Sequence, residues 1–298
     1  MPVMTPQAHL SQTGLVGDHD IPGLLRHGSP LCLAFQPQVD LRNGRIVSAE
    51  ALARWHHPEL GDVAPGAFMP AIRRMGLQRA LFERVCAQAM DAVRSLDVAG
   101  IRIPVAVNAC ANTLTDPLSL AFLRVEADRR GIEPSRLRIE LTEDSPVENQ
   151  PVLRAALTQL RSWGCEVALD DFGAGHANLD MLIGLDIDEL KLDRQLITHV
   201  NDNLVALESV RFALALARRM DWRVVAEGIS TEAELVTLRA LGCDHGQGFL
   251  LGRPMPLAQL ISLVEADAMR AAPAPSPHAW RRHPAPAGRP GHSLAPMR

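Results

Sequence analysis

The 298-residue sequence predicts an α/β protein, a modified TIM-like (β/α)8 barrel whose first strand runs antiparallel to the second. Short apolar runs bounded by turn residues alternate with helix-length amphipathic segments, as strands joined by crossover helices do. There are eight such runs in roughly 245 residues, close to the ~250 typical of a closed barrel. The first two runs are separated only by "LRNG", and Asn43-Gly44 is a strong hairpin signal.

In chain order the strand-like runs are "LCLAFQPQVD" (31–40), "RIVSAEALARW" (45–55), "IPVAVNA" (103–109), "LRIELTE" (137–143), "EVALDDF" (166–172), "IDELKLD" (187–193), "RVVAEG" (223–228) and "CDHGQGF" (243–249). Helical segments fall at 64–75, 77–96, 118–131, 151–164, 203–220 and 231–242. Helices between strands require crossovers and hence a mostly parallel sheet. A doubly wound open sheet is the alternative, but no Gly-rich phosphate loop follows an early strand. Phe68, Met69, Ile72 and Met75 at helical spacing read as a core face.

The domain is expected over residues 21–266, after a flexible segment at 1–20. After about Met269 the chain turns rich in Pro, Ala and Arg, so 267–298 reads as a disordered tail that cannot offset its ordering entropy. Only about thirty residues precede the first strand, too few for a sensory domain, so a partner or gene expression is expected to supply regulation.

A hydrophobic fraction of 47% suits a full core, and the net charge of −4 disfavours bulk nucleic-acid binding. The five cysteines lie far apart without a C-x-x-C pair, which argues against a zinc knuckle or a disulfide framework and fits a reducing cytoplasm. The first twenty residues lack a basic n-region and a long apolar h-region, and no run approaches the ~20 apolar residues of a membrane span. A soluble, cytoplasmic protein without membrane attachment is therefore expected.

Acids and an amide recur at the carboxyl ends of these runs: Glu50, Asn108, Glu140, Asp170 with Asp171, and Glu227. In a parallel barrel those ends meet on one face, where the site forms. Carboxylates so gathered repel one another unless their pKa values rise or a cation binds. Oxygen-only ligation suits Mg²⁺ or Mn²⁺ better than zinc. The Asp170-Asp171 doublet exceeds what one hydrated octahedral ion needs, so two ions sharing a carboxylate are expected. The doublet can share one pocket only if the strand ends there and the chain turns.

Arg54 lies on the Glu50 face of its strand and Lys191 ends "IDELKL", a pair suited to gripping phosphate and stabilising a developing anion. Taken singly, each acid reads as a helix cap or solvated residue, and the two cations as surface ion-pair partners. Their recurrence at so many strand ends is what favours a site. Cys110 reads as a buried filler, and His56 and His57 before Pro58 as turn or packing residues.

Seven blocks carry a resemblance: "FQPQVDLRNGRIVSAEALARWHHPELGDVAPGAFMPAI", "VNA" at 107, "IELTE" at 139, "ALDDFGAG" at 168, "LKLDR" at 190, "VVAEGI" at 224 and "LGCDHGQGFLLGRPM" at 241. In order, from about Leu31 to Pro256, they resemble the EAL-type cyclic di-GMP phosphodiesterase domain. The resemblance implies hydrolysis of cyclic di-GMP to linear pGpG with Mg²⁺ or Mn²⁺. It implies Glu50, Asn108, Glu140 and Asp170 as ligands of one metal, and Asp170, Asp171 and Glu227 as ligands of a second. Lys191 then holds the attacking water with Gln247 near it, Arg54 and Gln36 contact phosphate and guanine, and Glu143 steadies the loop after the doublet.

That loop departs from the family's "DDFGTGYSSL" at Ala174, His176, Ala177 and Asn178, and "EGVET" reads "EGIST" with Ser230. Cys110 stands where the family has serine. The leading expectation is an active phosphodiesterase. A catalytically weak cyclic di-GMP receptor or protein-interaction module is the alternative, prompted by the altered loop, and an unrelated Mg²⁺-dependent barrel enzyme is a third. The resemblance also implies a homodimer packed near that loop, whose changes admit a monomer or a differently packed dimer instead.

Overall fold

The computed structural model describes residues 17–18, 20–25, 31–142, 149–174, 182 and 184–271. Its strands are β1 (Leu31–Asp40), β2 (Ile46–His57), β3 (Gly61–Val63), β4 (Val105–Cys110), β5 (Leu137–Thr142), β6 (Glu166–Phe172), β7 (Glu189–Leu192), β8 (Arg223–Ala226) and β9 (His245–Gly246). The helices are α1 (Ile21–Leu25), α2 (Pro65–Arg74), α3 (Gln78–Val98), α4 (Ala111–Thr115), α5 (Pro117–Arg130), α6 (Gln150–Ser162), α7 (Arg194–Thr198), α8 (Leu204–Met220), α9 (Glu232–Leu241) and α10 (Leu257–Ala271).

The sheet runs β1-β9-β8-β7-β6-β5-β4-β2-β3, and β1 also pairs with β2, which closes an eight-stranded barrel with β3 as a short hairpin on β2. Strands β2 and β4 to β9 are mutually parallel, whereas β1 is antiparallel to both its neighbours, as the hairpin signal predicts. The turn is longer than Asn43-Gly44 alone. Asp40 accepts from the Arg42 amide at 2.8 Å and Gly44 adopts φ +77°.

Local chemistry starts the helices where the crossovers need them. Asp116, Asn149, Asp193, Asn203 and Thr231 each accept an amide of the following first turn, and Thr231 with Glu234 forms a capping box. The core lies between helices and barrel: α3 buries Leu81, Phe82, Val85, Cys86, Ala89, Met90, Val93 and Leu96 along one stripe. Phe68 and Ile72 of α2 are buried as expected, but Met75 is 37% exposed because the helix ends at Arg74 and Met75 is its cap. His57 closes its turn by accepting the Glu59 and Leu60 amides at 3.1 Å each.

The last helix continues to Ala271, and residues 1–16 and 272–298 lie outside the described residues. Among the described residues no helix is long and apolar enough to cross a membrane.

Candidate active site

Barrel interiors are usually filled by aliphatic side chains, but this one is polar in two layers. Alternation along the strands sets it up, since residues two apart share a face. The outer layer, at the carboxyl ends, holds Gln36, Glu50, Asn108, Glu140, Asp170, Lys191, Glu227 and Gln247. The layer below holds Gln38, Ser48, Arg138 and Glu189, each at most 3% exposed.

Lys191 is the centre of the outer layer. Its Nζ lies 2.6 Å from Glu140, 2.6 Å from Glu227, 2.9 Å from Asp170 and 3.8 Å from Glu50. Asn108 Nδ2 donates to Glu50 Oε1 at 2.7 Å, and Gln247 Nε2 donates to Glu50 Oε2 at 2.7 Å and to Gln36 Oε1 at 3.1 Å. Gln36 stands opposite Glu50 in the β1–β2 register, and its Nε2 donates to the Gly252 carbonyl. All the outer-layer candidates thus converge.

Asp170 and Asp171 share the pocket by a different route from the one expected. The strand runs on to Phe172, which pairs with Leu192, but the register slips between Leu169 and Phe172 and Asp171 takes φ +57°. A left-handed non-glycine residue in a bulge turns what would be the outward side chain inward, a strained geometry typical of functional sites. As a result, carboxylate oxygens of Asp170, Asp171 and Glu227 come within 4.8 Å of one another.

Burial and like charge push these acids up. Glu227 rises to about 8, chiefly through burial and then Asp170 and Glu50, against the lowering pull of Lys191. Glu140 and Asp170 also rise, burial being the main cause. Glu50 goes the other way: burial opposes ionisation, but Lys191, Gln247 and Asn108 together outweigh it. The Lys191 ammonium is raised well above its usual range, because its four carboxylates overcome the cost of burial.

The sign of the stability change with pH follows. A carboxyl raised in the fold binds more protons folded than unfolded between its two pKa values, so stability falls as pH rises through that window. Metal-free protein should therefore melt at progressively lower temperature from about pH 4.5 to about pH 8. Melts in chelator at stepped pH check this, and Glu227→Gln should flatten the trend. A wild-type melting temperature that rises across the window contradicts the assignment.

The site has the donor set of a hard-cation centre. Asn108 Oδ1 is buried without a hydrogen-bond partner, and Asp170 Oδ1 has the Lys191 ammonium 2.9 Å away as its ion-pair partner. A buried amide oxygen left open, beside carboxylates that repel, fits a divalent cation held by oxygen ligands.

Arg54 follows Glu50 and Leu52 on the same face of β2, with Nη1 donating to the Ala53 carbonyl at 2.8 Å. Glu143 and loop positions 175–181, including His176, lie outside the described residues. Cys110 is partly buried, with Sγ 3.1 Å from Thr113 Oγ1.

Sequence reasoning missed the lower layer. Gln38 Nε2 donates to Glu140 at 3.3 Å and to Gln247 at 3.0 Å, while its Oε1 accepts from Arg138 at 3.0 Å and from Ser48. Arg138 also donates to Glu189 at 2.8 Å and to Glu166 at 2.7 Å. Burial would raise Glu189, but Arg138 holds it at about 2. The signal was present, since Gln38, Arg138 and Glu189 each stand two residues before or after a named inward residue. Arg194, Ser230 and Phe249 also line the pocket that holds Glu50, Asp170, Lys191 and Glu227.

Fold and site together define a mixed α/β barrel protein with an acidic pocket at its carboxyl strand ends whose donors suit a hard cation. The EAL domain model matches residues 20–254, and the chain belongs to the EAL domain family. The bifunctional diguanylate cyclase/cyclic di-GMP phosphodiesterase MucR of Pseudomonas aeruginosa is 37% identical over 78% of this chain and 34% of its own length. The cyclic di-GMP phosphodiesterase PA2567 of the same organism is 34% identical over 76% of this chain and 39% of its own. The chain thus spans about a third of these curated relatives. The solved PaMucR phosphodiesterase in complex with c-di-GMP has a TM-score of 0.75 at 36% identity, covering 81% of this chain and 98% of that one.

Proposed function

We propose that this domain hydrolyses cyclic di-GMP to linear pGpG with two divalent ions, Mg²⁺ or Mn²⁺. The observation that carries the reading is the set of buried Glu50, Glu140 and Asp170 with half-buried Glu227 around Lys191, and the open Asn108 oxygen beside them. Relatives named as cyclic di-GMP phosphodiesterases support the substrate.

Glu50, Asn108, Glu140 and Asp170 would hold one ion, and Asp170, Asp171 and Glu227 the other. When bound, such ions acidify a water and offset charge at phosphorus. Lys191 fixes the carboxylates at distances of 2.6 to 3.8 Å and offers a cation to the attacking water and the anion it forms. Gln247 orients Glu50 and Gln36, and Gln36 and Arg54 receive guanine and phosphate. Glu143 steadies the loop after the doublet. Water adds to phosphorus, the P–O3′ bond breaks, and the 3′ oxygen leaves with a proton, which gives a linear dinucleotide with a 5′ phosphate.

We also propose a cytoplasmic domain over 21–266, a homodimer, and a partner protein that supplies regulation. The test of activity is purified protein with cyclic di-GMP and Mn²⁺ or Mg²⁺, followed for pGpG. Metal-dependent product is expected, whereas tight binding without product favours the receptor reading instead. Calcium coordinates more loosely and at longer distance, so its substitution should slow turnover on the order of 10²-fold. Full activity in Ca²⁺ would count against the two-ion arrangement.

A further inference from the structure

The pocket wall holds a second cation besides Lys191. Arg194 opens α7, directly after β7 and the Asp193 cap, and it lines the pocket with Glu50, Asp170 and Glu227. Among the described residues it has no hydrogen-bond or ion-pair partner, unlike the buried Arg138 of the lower layer.

The backbone makes room for its stem. Gly228, next to Glu227, has φ +72°, and a Cβ there would collide with the Arg194 side chain. A glycine in that conformation lets the stem of the arginine lie against the loop after β8, on the pocket wall. Ser230 on the same wall brings no competing charge, its hydroxyl donating instead to the Glu234 carboxylate at 3.2 to 3.3 Å.

The topology gives this position its meaning. In the closed order, β7 lies four strands from β2 in either direction, so Arg194 and Arg54 belong to diametrically opposed sides of the barrel mouth. A cyclic dinucleotide is a ring with two phosphodiesters on opposite sides. The central acids repel a phosphate wherever no cation intervenes, so each phosphodiester needs its own positive partner.

We propose that Arg194 is a substrate-binding residue: it grips one phosphodiester of the cyclic dinucleotide from the wall opposite Arg54, so that the pocket selects a ring bearing two phosphates. The inference rests on the proposed cyclic di-GMP substrate.

Steady-state hydrolysis of cyclic di-GMP with Mn²⁺ and calorimetric binding of the same compound with Ca²⁺ test it in wild type, Arg194→Ala and Arg194→Lys. A lost charge-assisted hydrogen bond to phosphate should raise KM and Kd about 10- to 100-fold in Arg194→Ala, with a far smaller change in kcat. Arg194→Lys should recover part of the loss, since a point charge serves without the bidentate fork. If wild type turns over cyclic di-GMP but Arg194→Ala keeps its KM and Kd, or loses kcat alone, the role of Arg194 is overturned while the activity stands. If wild type neither binds nor cleaves the compound, the substrate reading falls and this inference with it.

Discussion

Lys191→Met is expected to destabilise the metal-free protein by about 3–5 kcal/mol, the cost of breaking a buried charge pair by removing one partner. Lys191 is 1% exposed, and three carboxylates lie within 2.9 Å of its ammonium. Methionine fills the same space without the charge, so the loss is electrostatic and not a cavity. Glu140 has no exposure and depends on Lys191 and Gln38 for its hydrogen bonds. Thermal or urea unfolding in chelator reads the effect, and a fall in melting temperature on the order of 10 °C is expected.

Two further readouts separate this cause from a general loss of packing. The penalty should shrink towards acid pH, where Glu140, Asp170 and Glu227 take up protons and no longer need a counter-charge. Saturating Mn²⁺ should restore part of the lost stability, because a cation returns to the same carboxylates. A Lys191→Met protein that melts with wild type in chelator at pH 8 would show that the ammonium is not what holds the acids together.

The outer layer was legible in the sequence because strand alternation is a strong constraint: Glu50, Asn108, Glu140 and Lys191 face inward for one reason, whereas Gln36, on the antiparallel β1, was reached only through the family resemblance. The hairpin at Asn43-Gly44 was legible for the same kind of local reason, although Asp40 closes a longer turn than two residues. The Asp170-Asp171 geometry was not, since alternation forbids both side chains on one face and only a register slip with Asp171 at φ +57° permits it. The lower layer was less legible, because Gln38, Arg138 and Glu189 stand two residues from the mouth, at depths where barrel interiors are usually aliphatic. Arg194 was missed because its approach depends on Gly228, a residue far along the chain whose missing Cβ has no meaning until β7 and β8 are paired.

Asp170→Asn should separate fold from function more sharply than any other single change. Asp170 belongs to both proposed ion sites, so its loss removes charge where phosphoryl charge develops, and turnover of cyclic di-GMP should fall about 10²- to 10³-fold or more. Stability of the metal-free protein should hold or rise. Burial already pushes Asp170 towards its neutral form, and Glu50 adds to that push. An amide of the same shape therefore relieves repulsion at the cost of one ion pair with a lysine that keeps three other carboxylates. The effect of metal should go the opposite way. In wild type, ion at about 100 times its Kd adds roughly 2.7 kcal/mol, a shift of several degrees, and in Asp170→Asn that shift should collapse because a shared ligand is gone. Melting curves with and without Mn²⁺, run beside the pGpG assay, measure both. An inactive variant that is also unstable in chelator would assign Asp170 to the fold, whereas one that keeps turnover would remove it from the site.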